Sequence, residues 1–230
     1  MHPSELRAHW REYESHGYKL PTVEFYGHTR GTYAAFSNFY AHKPFMFTVP
    51  EKCGKARLVD AHRPTVVPIE FSEKAIMLCK AAVMGDVGTY DKILSASNPR
   101  EAKALGRCVS PWKQGVWDAV VCEVAKEVVT QKFAGVPGLA ELLRSTGCQL
   151  IAESTRNDYN WGTGLDIGHA DASRPWNWPG TNILGWALMQ ARATLNASAR
   201  GREADGGRCD RVGDGSEQKK LKVGIERSRC

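Results

Sequence analysis

Glu73 and Lys80 stand seven residues apart in "PIEFSEKAIMLCKAAVMGD" (residues 68–86). An α-helix turns about 100° per residue, so seven residues close nearly two turns. A helix opening at Ser72 therefore puts both side chains on one line, roughly 10 Å apart along the axis. Ile76, Met77, Val83 and Met84 flank that line, so the acid and the base lie within an apolar arc. Taken singly, each has an ordinary explanation. A carboxylate in the first turn suits the helix dipole, and a lysine can carry its ammonium outward on an aliphatic stem. Taken together they are too far apart to neutralise each other, and that gap suits a bound ligand. Burial raises a glutamate pKa and lowers a lysine pKa, which supplies a general acid or base and a nucleophilic amine.

Three other stretches carry groups for binding. "GTYAAFSNFYAHKPFMF" (31–47) sets Ser37 and Asn38 between Phe36 and Phe39, a combination suited to a base or ribose. A core hairpin with capping polar residues is the plainer reading. "STRNDYNWGTGLD" (154–166) holds Asp158 three residues before Trp161, followed by Gly162 and Gly164. There an indole can offer a flat face to a sugar while the carboxylate accepts hydroxyl hydrogen bonds; the alternative is a surface turn with a buried Trp. Asn182 in "ASRPWNWPGTNILGWALMQAR" (172–192) caps the last helix, where free N–H groups can hold phosphate. No dinucleotide fingerprint, GxxxxGK[ST], HExxH or GxSxG occurs. The histidines have no ligand spacing, so neither metal nor cofactor is expected.

These residues must be positioned by a chain of 230 residues, 42% hydrophobic and 9% aromatic, which is long enough for one sizeable core. Residues 1–20 are polar, with helical potential in "PSELRAHWREYESH". Residues 21–196 have globular character, and 197–230 read as a disordered basic tail. "TVEFYG", "PFMFTV" and the Val66–Val67 region read as strands. Helices are expected from Ser72, from Pro99 behind an Asn98 cap, through one long stretch "VWDAVVCEVAKEVVTQKFAG", in "PGLAELLRST" and in "NILGWALMQARATL". The expected fold is α+β, a mostly helical single domain with a few short antiparallel strands gathered early in the chain. Seven scattered cysteines without a CxxC pair read as free thiols in a reducing compartment, cytoplasmic or nuclear. No run is apolar enough to span a membrane. The net charge of +6 admits phosphate groups, DNA or RNA as partners.

The succession "FYG…FSNFY…PFMF", "FSEKAIMLCKA", "NPREAKALGR", "VWDAVVCEVAKEVVTQKF", "LLRSTGCQLIAES", "NDYNWGTG" and "NILGWALMQAR" resembles the NADAR (YbiA-like) superfamily over residues 23–195. The resemblance implies an α+β, mainly helical N-glycosidase. It places the acid of the family's S-E-H motif on Glu73 and the lysine of the same helix on Lys80. It places a tryptophan ahead of the long helix on Trp117 and the D-x-x-W-G pair on Asp158 and Trp161. The family's residues after the acid, as in S-E-H-Y-F-Q, are here Lys74, Ala75, Ile76 and Met77, a departure that bears on substrate contacts. The stretch between Phe47 and Glu70 is longer than in compact members and is expected to form a lid or an added strand.

Two substrate groups are implied: ADP-ribose attached to guanine in nucleic acid, and ribosylamino-pyrimidine phosphates of riboflavin synthesis. The expectation leans to ADP-ribose because of the basic tail, the long insertion and the absence of a fused riboflavin-pathway domain. Glu73, Lys80 and Asp158 are the expected catalytic residues. Phe36, Ser37, Asn38, Phe39, Trp117, Trp161, Gly162 and Asn182 are the expected substrate contacts. A non-catalytic reader of ADP-ribose or nucleic acid, or a purely structural interaction protein, are the competing classes.

Overall fold

The computed structural model of the chain describes residues 1–16 and 20–206. Helix α1 (Pro3–Glu12) opens with proline at its first position and a reciprocal cap between His2 and Glu5. Strands β1 (Thr22–Phe25) and β2 (Phe45–Thr48), helix α2 (Lys55–Asp60) and strand β3 (Val66–Ile69) follow. The helical body then runs through α3 (Ser72–Met84), α4 (Val87–Leu94), α5 (Pro99–Arg107), α6 (Gln114–Asp118), α7 (Val121–Gly135) and α8 (Leu139–Arg144). Strand β4 (Leu150–Glu153), a long loop and α9 (Ile183–Gly206) complete it.

The α+β, mainly helical class matches the sequence expectation, but the strands differ in one respect. β2 and β3 pair antiparallel, Phe45 opposite Ile69, whereas β1 and β4 pair parallel, Thr22 opposite Leu150. A parallel pair needs a long crossover, and here the crossover is most of the helical body. β4 is thus a late strand whose partner is the first, not a member of an early hairpin. The expected single helix from Val116 is broken in two: α6 ends at Asp118 and α7 starts at Val121. Ser72 is the first residue of its helix, as expected, and extended Phe71 is the N-cap. α9 continues to Gly206, into the stretch expected to be disordered; the rest of the expected tail, 207–230, lies outside the described residues.

Helix α3 is the axis of the body. Every one of its residues except Lys80 is buried, so the helix is enclosed on all sides rather than half-exposed. α5 lies close against it through Gly106, where a side chain would collide with that of Met77. The segment 48–69 supports α3 from behind: Arg57 donates to the Val83 carbonyl at 2.5 Å. Cys53, Cys79 and Cys122 are buried free thiols, and Cys108 and Cys148 are exposed ones.

Two buried polar side chains brace the loops. Lys132 of α7, 1% exposed, donates to the carbonyls of Ala35 (2.6 Å) and Ser37 (3.1 Å), tying the 34–37 turn to the core. Burial pushes its pKa down to about 7. Asn182, fully buried and with φ of 51°, bridges two groups of β4: its Nδ2 donates to the Ile151 carbonyl at 2.9 Å, and its Oδ1 accepts from the Glu153 N–H at 3.0 Å. Asn tolerates this left-handed backbone better than most residues. Asn182→Ala leaves both buried groups without partners and is expected to cost roughly 2–4 kcal/mol. Urea unfolding checks this, and a midpoint equal to that of the wild type contradicts it.

Candidate active site

The chemistry begins with a fully enclosed helix that carries a carboxyl. Glu73 sits in the first turn of α3, 6% exposed, with its backbone N–H bonded to the Asn38 carbonyl at 2.9 Å. Burial pushes its pKa up to about 7; Lys103, Lys80 and Arg107 pull it back, and Asp158 adds to the rise. Two turns further, Lys80 is half-buried, with Nζ 4.2 Å from the centre of the Trp112 ring. Its pKa is lowered by burial and by Arg107, against the opposing pull of Glu73.

Both side chains line one cavity of about 320 Å³. Ser37, Asn38 and Phe39 form one wall, and Asp158, Asn160, Trp161 and Trp117 form another. The sharing of one cleft by the Glu73–Lys80 line and the Asp158–Trp161 loop is the geometry on which the sequence reading rested. Asp158 also shapes its own loop: Oδ1 accepts from the N–H groups of Asn160 (3.1 Å) and Trp161 (2.8 Å).

Three expected contacts lie elsewhere. Phe36 is in the core, packed on Phe25, Tyr33 and Phe133. Asn182 is committed to β4, away from the cavity lining. Gly162 is also absent from the lining; a Cβ there would come within 2.8 Å of the Glu153 carbonyl, so its role is to let the 158–164 loop lie against β4. No residue of 48–69 lines this cavity; of the lid or added strand expected there, the segment forms helix α2 and strand β3 and backs α3.

Three ionisable residues of the cavity were not anticipated. Glu153, at the end of β4, has its Oε2 sealed from solvent without a hydrogen-bond partner. Burial pushes its pKa up to about 8, and the neighbouring Asp158 and Glu73 add to the rise while Lys103 opposes it. Lys103 and Arg107, one turn apart on α5, complete the rim, with the Lys103 ammonium 5.3 Å from the Phe39 ring centre. Their i,i+4 spacing in "NPREAKALGR" is the signal that could have found the two bases; an acid at the end of a short strand carries no such mark. The Asn38 Oδ1 is a second buried atom without a partner in this wall. Buried polar atoms are nearly always satisfied, so two orphans in residues that line one cavity set this region apart from the rest of the core. The chemistry on offer is a carboxyl that holds its proton near neutrality, further carboxyls, three cations suited to phosphate, and aromatic faces.

A family model, "NADAR domain", matches residues 24–196, and the chain belongs to that family of N-glycosidases. It is 34% identical over 121 residues to N-glycosidase R617 of Acanthamoeba polyphaga mimivirus, covering 53% of this chain and 71% of that protein. It is 29% identical over 163 residues to N-glycosidase Npun_R5314 of Nostoc punctiforme, covering 71% and 86%. A riboflavin biosynthesis protein of Zea mays, PYRR, is 27% identical over 196 residues, covering 82% of this chain but 28% of its own length. The solution structure of the Escherichia coli protein YbiA superposes with a TM-score of 0.57 at 27% identity, covering 80% and 89% of the two chains.

The buried acids make stability depend on pH. A folded pKa of about 8 for Glu153 lies above the value of an unfolded glutamate. Its contribution is therefore complete below about pH 4.5 and is lost as pH rises through 8, by up to about 1.4 kcal/mol per pH unit. Glu153→Gln, which cannot ionise, is expected to unfold at a higher temperature than the wild type at pH 8.5 and to differ less at pH 5. Parallel thermal melts test this; a gap that does not widen with pH refutes it.

Proposed function

We propose that the chain hydrolyses the N-glycosidic bond between a phosphorylated ribose and an exocyclic amine of an aromatic base, and that its substrate is ADP-ribose carried on guanine in nucleic acid. The observation that supports it most is the single cavity in which Glu73, with a pKa near 7, meets Lys80, Lys103, Arg107 and the faces of Phe39, Trp117 and Trp161. Cleavage of C1–N builds positive charge on the ribose. Protonated Glu73 gives its proton to the departing amine nitrogen, which takes the bonding pair. Asp158 faces the developing cation. Water then adds to C1 and returns a proton to the Glu73 carboxylate, restoring the acid. The three cations hold phosphate oxygens, and the aromatic side chains stack on the base.

A second route has its own support in the lowered pKa of Lys80. A neutral amine can attack C1 as the base nitrogen leaves with the bonding pair and the Glu73 proton. The amine then loses a proton, and the ring C1–O bond opens with its pair and a proton going to the oxygen, which gives an imine that water hydrolyses. The relatives named as riboflavin biosynthesis proteins favour ribosylamino-pyrimidine phosphates as the alternative substrate.

The direct test presents ADP-ribosyl-guanine DNA and a ribosylamino-pyrimidine phosphate side by side. Release of ADP-ribose from the first, with a far lower kcat/KM for the second, supports the proposal; the reverse order replaces the substrate, and binding without release makes the chain a reader. Glu73→Gln is expected to lower kcat by about 10²-fold or more, and wild-type kcat is expected to fall as pH rises above about 7. Borohydride added during turnover is expected to trap sugar on wild type but not on Lys80→Ala if the imine forms. No adduct, with an active Lys80→Ala variant, removes that route.

A further inference from the structure

A second and larger cavity, of about 960 Å³, adjoins the first, and Trp117, Asn160 and Trp161 belong to the walls of both. Its far wall is α1, which precedes the stretch matched by the family model. From α1 the Arg7 and Arg11 side chains, one turn apart, line the cavity. The helix is fixed in place: Leu6 and Trp10 are buried, the Trp10 indole N–H donates to the Thr181 carbonyl at 2.7 Å, and its ring meets Trp178 edge-on at 5.3 Å. The arginines thus stand on a rigid support, which lowers the ordering cost of binding.

The cavity also contains two carboxylates, Glu12 and Asp118. Asp118 accepts from the Gln114 amide at 2.7 Å, and Glu12 lies 3.7 Å from the His9 ring. Among the described residues neither arginine has a carboxylate within ion-pair distance, although both signs of charge are present. Two guanidinium groups without a carboxylate partner among the described residues, in a cavity also lined by two indoles, suit a phosphate-bearing nucleoside. The smaller cavity, at about 320 Å³, has room for a ribose and its leaving base but not for a second nucleoside as well.

We propose that this annex is a second subsite, built by the N-terminal helix, which takes the diphosphate-linked nucleoside of a dinucleotide-type substrate, with phosphate oxygens on Arg7 and Arg11. The inference rests on the N-glycosidase reading of the smaller cavity and assigns the part of the substrate that extends beyond it.

The test is calorimetric titration of the full chain with ADP-ribose and with ribose 5-phosphate, for wild type, Arg7→Glu/Arg11→Glu and the milder Arg7→Gln/Arg11→Gln. The subsite predicts that wild type prefers ADP-ribose by tenfold or more, and that the double glutamate variant loses most of that preference while keeping the wild-type melting temperature. If the glutamate pair fails to fold, the glutamine pair carries the same prediction with a smaller loss. Binding of both ligands with a preference that neither variant changes overturns the annex alone. Absence of binding by either ligand overturns the annex and the reading of the catalytic cavity together.

Discussion

The desolvation of one carboxyl on a helix with almost no exposed surface is the constraint around which the molecule is arranged. Placing Glu73 on α3 removes it from water, and an ionised carboxylate there would be costly. The protein meets that cost in two ways. It lets the group keep its proton to near neutrality, and it sets Lys103, Lys80 and Arg107 where a charge, once formed, is met by opposite sign. The rest of the architecture follows from holding those partners near a helix that must stay buried. α5 approaches through Gly106, the 48–69 segment closes the back of α3, and the parallel pair β1–β4 delivers Glu153 to the open end.

The same constraint separates the roles of neighbouring polar groups. Glu153 is pushed upward by burial, by Asp158 and by Glu73, and Glu73 by burial and by Asp158, whereas Asp158 has an oxygen engaged by two backbone N–H groups of its loop. Asn182 and Gly162 belong to this arrangement without touching its cavity, because they fix the strand end and the loop that carry Glu153 and Asp158.

What the sequence revealed depended on whether the signal was local. The Glu73–Lys80 line, the Asn98–Pro99 helix start and the Asp158–Trp161 turn are short-range patterns, and the structure keeps all three in form. Glu153 escaped because a strand of four residues gives no periodicity from which to infer a face, and its burial is created by elements far away in sequence. The parallel pairing escaped for the same reason: the partner strands are separated by most of the helical body. Residue type cannot distinguish an aromatic that packs inward, as Phe36 does, from one that faces a cleft, and a place at a helix start cannot distinguish a cap from a strand brace such as Asn182. The break between α6 and α7 was hidden because apolar residues continue through Ala119 and Val120.

The Lys132 tether has one more implication. The wall formed by Ser37 and Asn38 rests on an amine that is sealed in the core and changes charge close to neutrality. Proton uptake there alters the electric potential behind that wall from a position that lines no part of the cleft. The cleft thus has a source of field outside its own surface, set by the acidity of the surroundings and reached only through the protein interior.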